Sequence, residues 1–102
     1  MYKRREINRK MERISNVSVL GVDLTQSKLT VWRKKHDSGR IIDVLTTFFV
    51  VKNTQIKDMH SNTLYLTSIK PKDRVTVDFV KEKDGRFIAS NVVMVAKLHG
   101  RR

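Results

Sequence analysis

The chain has 102 residues, 39% of them hydrophobic, which is enough for one hydrophobic core and too few for two. It contains no cysteine, which excludes a disulfide framework, a thiolate metal site and a thiol nucleophile. Lys and Arg number 22 against 10 Asp and Glu, and the resulting charge of +12, shared evenly along the chain, points to a polyanionic partner.

Residues 2–15 place Ile7, Met11 and Ile14 at helical spacing, with Arg4, Arg5, Arg9, Lys10 and Arg13 on the remaining surface. This pattern predicts a short basic amphipathic helix over residues 1–15, able to plug one end of the domain or to dock a protein partner. The positive start of a leader is present, yet Glu6, Arg9, Lys10 and Glu12 occupy the place of its apolar segment. A cytoplasmic chain is therefore expected, although a leader already removed from an exported precursor leaves the same reading. The longest apolar run, Val44–Val51, is far shorter than the roughly 18–20 residues of a membrane span, so none is expected.

From Asn16 onward the period becomes two and β-branched residues dominate, which predicts strands. The first contains Gly21, a residue that inside a strand marks a bulge or sharp bend. The second runs from Lys28 to Lys34, and a polar stretch ending in Ser38-Gly39 and Arg40 separates it from a third strand over Ile41–Val51. Residues 52–68 have weak periodicity and are expected to form an irregular or helical connection, closed by a turn at Lys70-Pro71-Lys72-Asp73. Arg74–Lys81 alternates Val75, Val77 and Phe79 with polar residues. Lys83-Asp84-Gly85 is tight-turn chemistry, and Phe87–Val95 returns as the fifth strand. Five strands in this order predict a mainly β fold, a Greek-key OB-like barrel over residues 16–96, followed by a basic tail at 97–102.

The stretch from Leu66 to Phe79, LTSIKPKDRVTVDF, followed by DGRFIASNV from Asp84 to Val92, resembles the second half of small bacterial OB-like domains of uncharacterised function. Asn53-Thr54-Gln55-Ile56 sits where such domains close their third strand, and Lys72 stands where their turn has a glycine. The resemblance covers residues 16–96, implies the barrel and carries no catalytic residue.

Candidate binding residues follow from the barrel. With Leu29 and Val31 inward, alternation turns Trp32 outward between Lys28 and Lys34, where an aromatic platform flanked by cations suits a stacked base. Its other possible place is over one end of the barrel, since tryptophan is usually mostly buried. Arg33, Lys34, Lys35 and Arg40 form a dense cationic hairpin tip, which reads either as a phosphate clamp or as a solvated tip that lysines keep from aggregating. Lys52 on the third strand, with Lys83 and Arg86 at the last hairpin, completes the expected surface.

For catalysis the sequence offers little. His36, His60 and His99 lie in unrelated segments without metal-ligand spacing, Asp43 and Asp78 are isolated, and no glycine-rich phosphate loop is present. No enzyme activity, metal or cofactor is therefore expected. The expected function is binding of single-stranded nucleic acid or structured RNA. The alternatives are an assembly module acting through residues 2–15 and an exported envelope-associated domain.

Overall fold

Five strands follow one another in the computed structural model, which describes residues 10–96: β1 (Glu12–Asp23), β2 (Lys28–Asp37), β3 (Arg40–Asp58), β4 (Arg74–Lys81) and β5 (Phe87–Ala96). A short 3-10 turn, Leu66–Ser68, precedes β4. The strands close into a barrel in the order β1-β2-β3-β5-β4, with β1 pairing both β2 and β4. All pairings are antiparallel except that of β3 with β5.

Alternation supplies the interior. Val17 and Val19 of β1, Leu29 and Val31 of β2, Phe48 and Ile56 of β3, Val75, Val77 and Phe79 of β4, and Ala89, Val92 and Met94 of β5 are buried together with Ile69. On β5 the buried positions change parity between Ala89 and Val92, at the register shift opposite Asp78 and Phe79. One extra residue there keeps both halves of the strand facing inward. Phe48, Phe79 and Phe87 pack against one another with ring centroids 4.9–6.1 Å apart, contacts worth about 0.5–1.5 kcal/mol per pair beyond area burial.

The expected bulge in the first strand lies at Leu20, where the register passes from Val19↔Val31 to Gly21↔Thr30. Ser38 and Gly39, at φ 54° and 80°, form a two-residue turn whose positive φ values match the right-handed twist of β2 and β3. The turn at Lys70–Asp73 is tied to β1, Val19 N–H donating to the Asp73 carbonyl at 2.8 Å and Lys72 N–H to the Val19 carbonyl at 2.8 Å. Asp73 is fully buried there and accepts the Lys70 N–H on Oδ2 at 2.9 Å.

Two expectations are corrected. The helix over residues 1–15 is not formed where the chain is described: Glu12, Arg13 and Ile14 belong to β1, opposite Phe79, Asp78 and Val77 of β4, and residues 1–9 lie outside the described residues. The physical reason is long-range pairing with β4, which holds this stretch extended up to a bulge at Asn16, φ 52°, between Ile14↔Val77 and Val17↔Val75. Local spacing that reads as helical is overridden here by strand pairing, which periodicity does not report. The second correction concerns β3, which continues past Val51 to Asp58 where an irregular connection was expected. A register shift between Val50 and Gln55 carries its later half along β5.

Candidate functional site

The outer surface of β2 and β3 carries the cross-strand pairs Lys28–Phe49, Thr30–Thr47, Trp32–Leu45, Lys34–Asp43 and His36–Ile41. Trp32 is half-buried on this face, and Lys34 Nζ stands 5.2 Å from the centre of its ring. Lys28 Nζ and Arg86 Cζ lie 5.1 and 5.3 Å from the Phe49 ring. Four of the residues expected to bind, Lys28, Trp32, Lys34 and Arg86, are thus gathered here.

The other five are not. Arg33 and Lys35 have the parity of Leu29 and Val31 and so leave β2 on its opposite side, Arg33 lining a cleft with Arg13 and Phe79. Arg40 sits at the β2–β3 turn opposite Asp37, and Lys83 is exposed in the β4–β5 turn. Lys52 lines a separate pocket of about 540 Å³ with Thr54, Lys57, Thr63 and Tyr65. Within the gathered group Lys34 pairs with Asp43 at 3.0 Å and Arg86 with Asp84 at 2.8 Å, which leaves little uncompensated charge on the face.

A different cluster lies at the far end of β3. Asp58, Met59, His60, Leu64, Met94, Val95 and Ala96 line a pocket of about 310 Å³. Met94 comes from β5, in register with Asp58 of β3 and Val75 of β4, and is 7% exposed. Met59 and His60 come from the turn that follows β3 and are exposed, Met59 at 65%.

Asp58 builds that turn. Its Oδ1 accepts the backbone N–H groups of His60 at 2.8 Å and Asn62 at 2.9 Å, and its Oδ2 accepts the Asn62 side-chain amide at 3.0 Å. The Asn62 amide, then the backbone donors of Asn62 and His60, hold its carboxyl below the usual carboxylate range. Backbone bonds from Asp58 N–H to the Asn62 carbonyl, 3.0 Å, and from Leu64 N–H to the Ile56 carbonyl, 2.8 Å, return the chain along its own path. Ser61, at φ 67°, makes the reversal.

Thioether sulfur and imidazole nitrogen are the donors that soft monovalent ions such as Cu(I) prefer, whereas Zn²⁺ and harder ions prefer thiolate, imidazole and carboxylate. Among the described residues no three His, Cys, Asp or Glu side chains gather into a site of the second kind. The outer face of β2 and β3 has only His36 as a metal-ligating side chain beside Asp43, and no sulfur. Two thioether residues and one histidine, Met59, Met94 and His60, line the pocket at the end of β3, whereas that face has no sulfur. Cysteine content and histidine spacing do not reveal a site whose sulfur comes from methionine. The adjacent Met59-His60 pair was the available signal, but the partner 34 residues on is brought close only by the β3–β5 register.

The barrel and the soft-donor pocket define a small, closed all-β domain. Solved structures of CusF are similar to it. CusF of Escherichia coli in its apo form superposes with a TM-score of 0.62 at 17% identity, covering 93% of this chain and 99% of that chain. Silver-bound CusF of the same organism gives 0.60 at 17%, over 85% and 94%. A tryptophan-to-alanine variant of it with Cu(II) gives 0.58 at 19%, over 89% and 99%. Identities this low establish the shared fold. No family model matches the chain, and no curated protein matches it in sequence.

These findings overturn the nucleic-acid reading. The relatives of this fold were solved with silver, with copper or without metal. The cations expected to form one groove are scattered over both faces of the hairpin, two turns and a separate pocket, with two of them neutralised by carboxylates. The likeness lends no support to a cytoplasmic location, and among the described residues no helix is long and apolar enough to cross a membrane.

Proposed function

We propose that this chain is a non-catalytic, OB-like metal-binding module whose pocket of Met59, His60 and Met94 takes a soft monovalent ion, Ag(I) or Cu(I). The observation that carries the reading is that Met59, His60 and Met94 line one pocket, formed by a turn and the neighbouring strand. Met94 supplies the anchored donor, because the core around it limits its movement. Met59 and His60 supply the pair on the solvent side, in the turn that Asp58 organises through the His60 and Asn62 amides. The silver held by a structure of the same fold is consistent with that donor chemistry.

The test is titration with Ag(I), followed by native mass spectrometry and calorimetry. One ion per chain is expected to bind the native protein, and Met59→Leu, His60→Gln and Met94→Leu are each expected to weaken it at least tenfold. Leucine keeps the volume of methionine and removes only the sulfur, so the barrel is retained. Undiminished Ag(I) binding by the Met59→Leu/Met94→Leu double variant sinks the assignment, whereas loss on Met11→Leu alone moves the site elsewhere.

A further inference from the structure

The β2–β3 hairpin extends beyond the barrel. β1 leaves β2 after Ser18↔Trp32, and β5 meets β3 only from Phe48↔Phe87 onward. Arg33–Asp37 and Arg40–Thr47 therefore form a two-stranded ribbon, and among the described residues neither outer edge has a partner. An unpaired edge is a template for another strand, and folded proteins usually blunt it with charge or proline.

The two edges are treated differently. β2 presents Arg33, Lys34, Lys35, His36 and Asp37, side chains that repel a second strand or are costly to cover. β3 presents Ile41, Ile42, Val44 and Leu45 with Asp43 between them, and Ile41 and Leu45 are 59% and 57% exposed.

The backbone can accept a strand there. Asp37 and Arg40 flank the two-residue turn, and the register runs without a shift to Lys28↔Phe49. Val50 N–H donates to the Ser27 carbonyl at 2.8 Å, so β3 residues of even number point their N–H and C=O toward β2. Ile41, Asp43, Leu45 and Thr47 point theirs outward.

We infer that the β3 edge from Arg40 to Thr47 is a docking site for an extended, acidic segment of a partner protein, which adds a strand to the ribbon. Main-chain hydrogen bonds supply affinity in such an arrangement, and alternate apolar side chains supply register. Charge selects the partner. Across the strand from the edge stand Arg33 and Lys35, with Arg40 at its start, against Asp37, while Lys34 is paired with Asp43, on a chain of net charge +12. A segment alternating glutamate with valine or isoleucine matches both the apolar row and the cations, whereas a second copy brings +12 against +12.

The experiment uses the full chain and a fluorescent eight-residue peptide alternating glutamate with valine, with oligoglutamate of equal length as the second probe. The native chain is expected to bind the alternating peptide at least tenfold more tightly than oligoglutamate. Leu45→Pro removes an outward N–H while sparing the β2 ladder, and the Ile41→Ser/Leu45→Ser pair removes the apolar row without altering the backbone. Each is expected to lower affinity at least tenfold, with the thermal transition showing that the barrel persists. Equal binding of the two probes, or unchanged affinity in the serine pair, overturns the inference. A concentration-dependent dimer of the native chain, abolished by the same serine pair, overturns it in favour of a second copy.

Discussion

Lys72 occupies a backbone conformation, φ 76°, that L-residues with a side chain adopt at a cost of about 1–2 kcal/mol. The resemblance to OB-like domains has glycine at this position of the turn, and the structure supplies the reason. Lys72 N–H must reach the Val19 carbonyl at 2.8 Å while Asp73 turns inward, and only a left-handed residue satisfies both. Glycine relieves the strain but adds about 0.5–1 kcal/mol of unfolded-state entropy. Lys72→Gly is thus expected to raise stability by about 0.5–1 kcal/mol, whereas Lys72→Ala leaves it unchanged. Urea denaturation checks this, and equal midpoints for the glycine and alanine variants count against it. The turn was legible in the sequence because Pro71 and Asp73 mark it, but the strain was not, since it depends on β1 lying alongside.

At the scale of elements, local signals and long-range pairing diverge. The β4–β5 hairpin reads directly from Val75, Val77 and Phe79 and from Asp84-Gly85, since its pattern and turn are contiguous. The start of β1 read as helix from the spacing of Met11 and Ile14, and the pairing with β4 that keeps it extended lies some 60 residues away. The end of β3 was illegible for a similar reason: Lys52, Asn53 and Gln55 face solvent, so nothing apolar marks the outer side of the strand. The pocket depends on that extension and on the turn beyond it, which Asp58 secures in its ionised form. Because its pKa is lowered in the folded chain, the turn's stabilisation is complete above the ordinary value of about 3.9. It is lost as the pH falls through the lowered value. Hydrogen exchange at the His60 and Asn62 amides, corrected for intrinsic rates, is expected to quicken only in that acid range. Asp58→Asn should show no such step, and a step surviving in that variant would falsify the assignment to Asp58.

For the whole molecule, the barrel was foreseeable from five alternating segments, but the use of its surface was not. Net charge is a sum over all sides, and +12 distributed evenly along the sequence becomes, after folding, cations on both faces of one hairpin with carboxylates beside two of them. The resemblance in residues 66–92 rested on turn and core positions, which is why it reported architecture and was silent about ligand. Methionine is counted with the apolar residues in any reading by hydropathy, so nothing local marks Met59 or Met94 as a donor.

The double allegiance of β1 has a kinetic consequence. Its second half pairs with β2, its neighbour in sequence, but its first half pairs with β4, so closing the barrel brings Glu12 against Phe79. A contact of such separation cannot form until the intervening loop entropy has been lost. Refolding in stopped-flow measurements is therefore expected on the scale of milliseconds to seconds, typical of all-β barrels, with microsecond refolding contradicting a rate set by closure. Until β1 and β4 meet, the growing sheet has two open sides, and a nascent chain is most vulnerable to wrong partners during that interval.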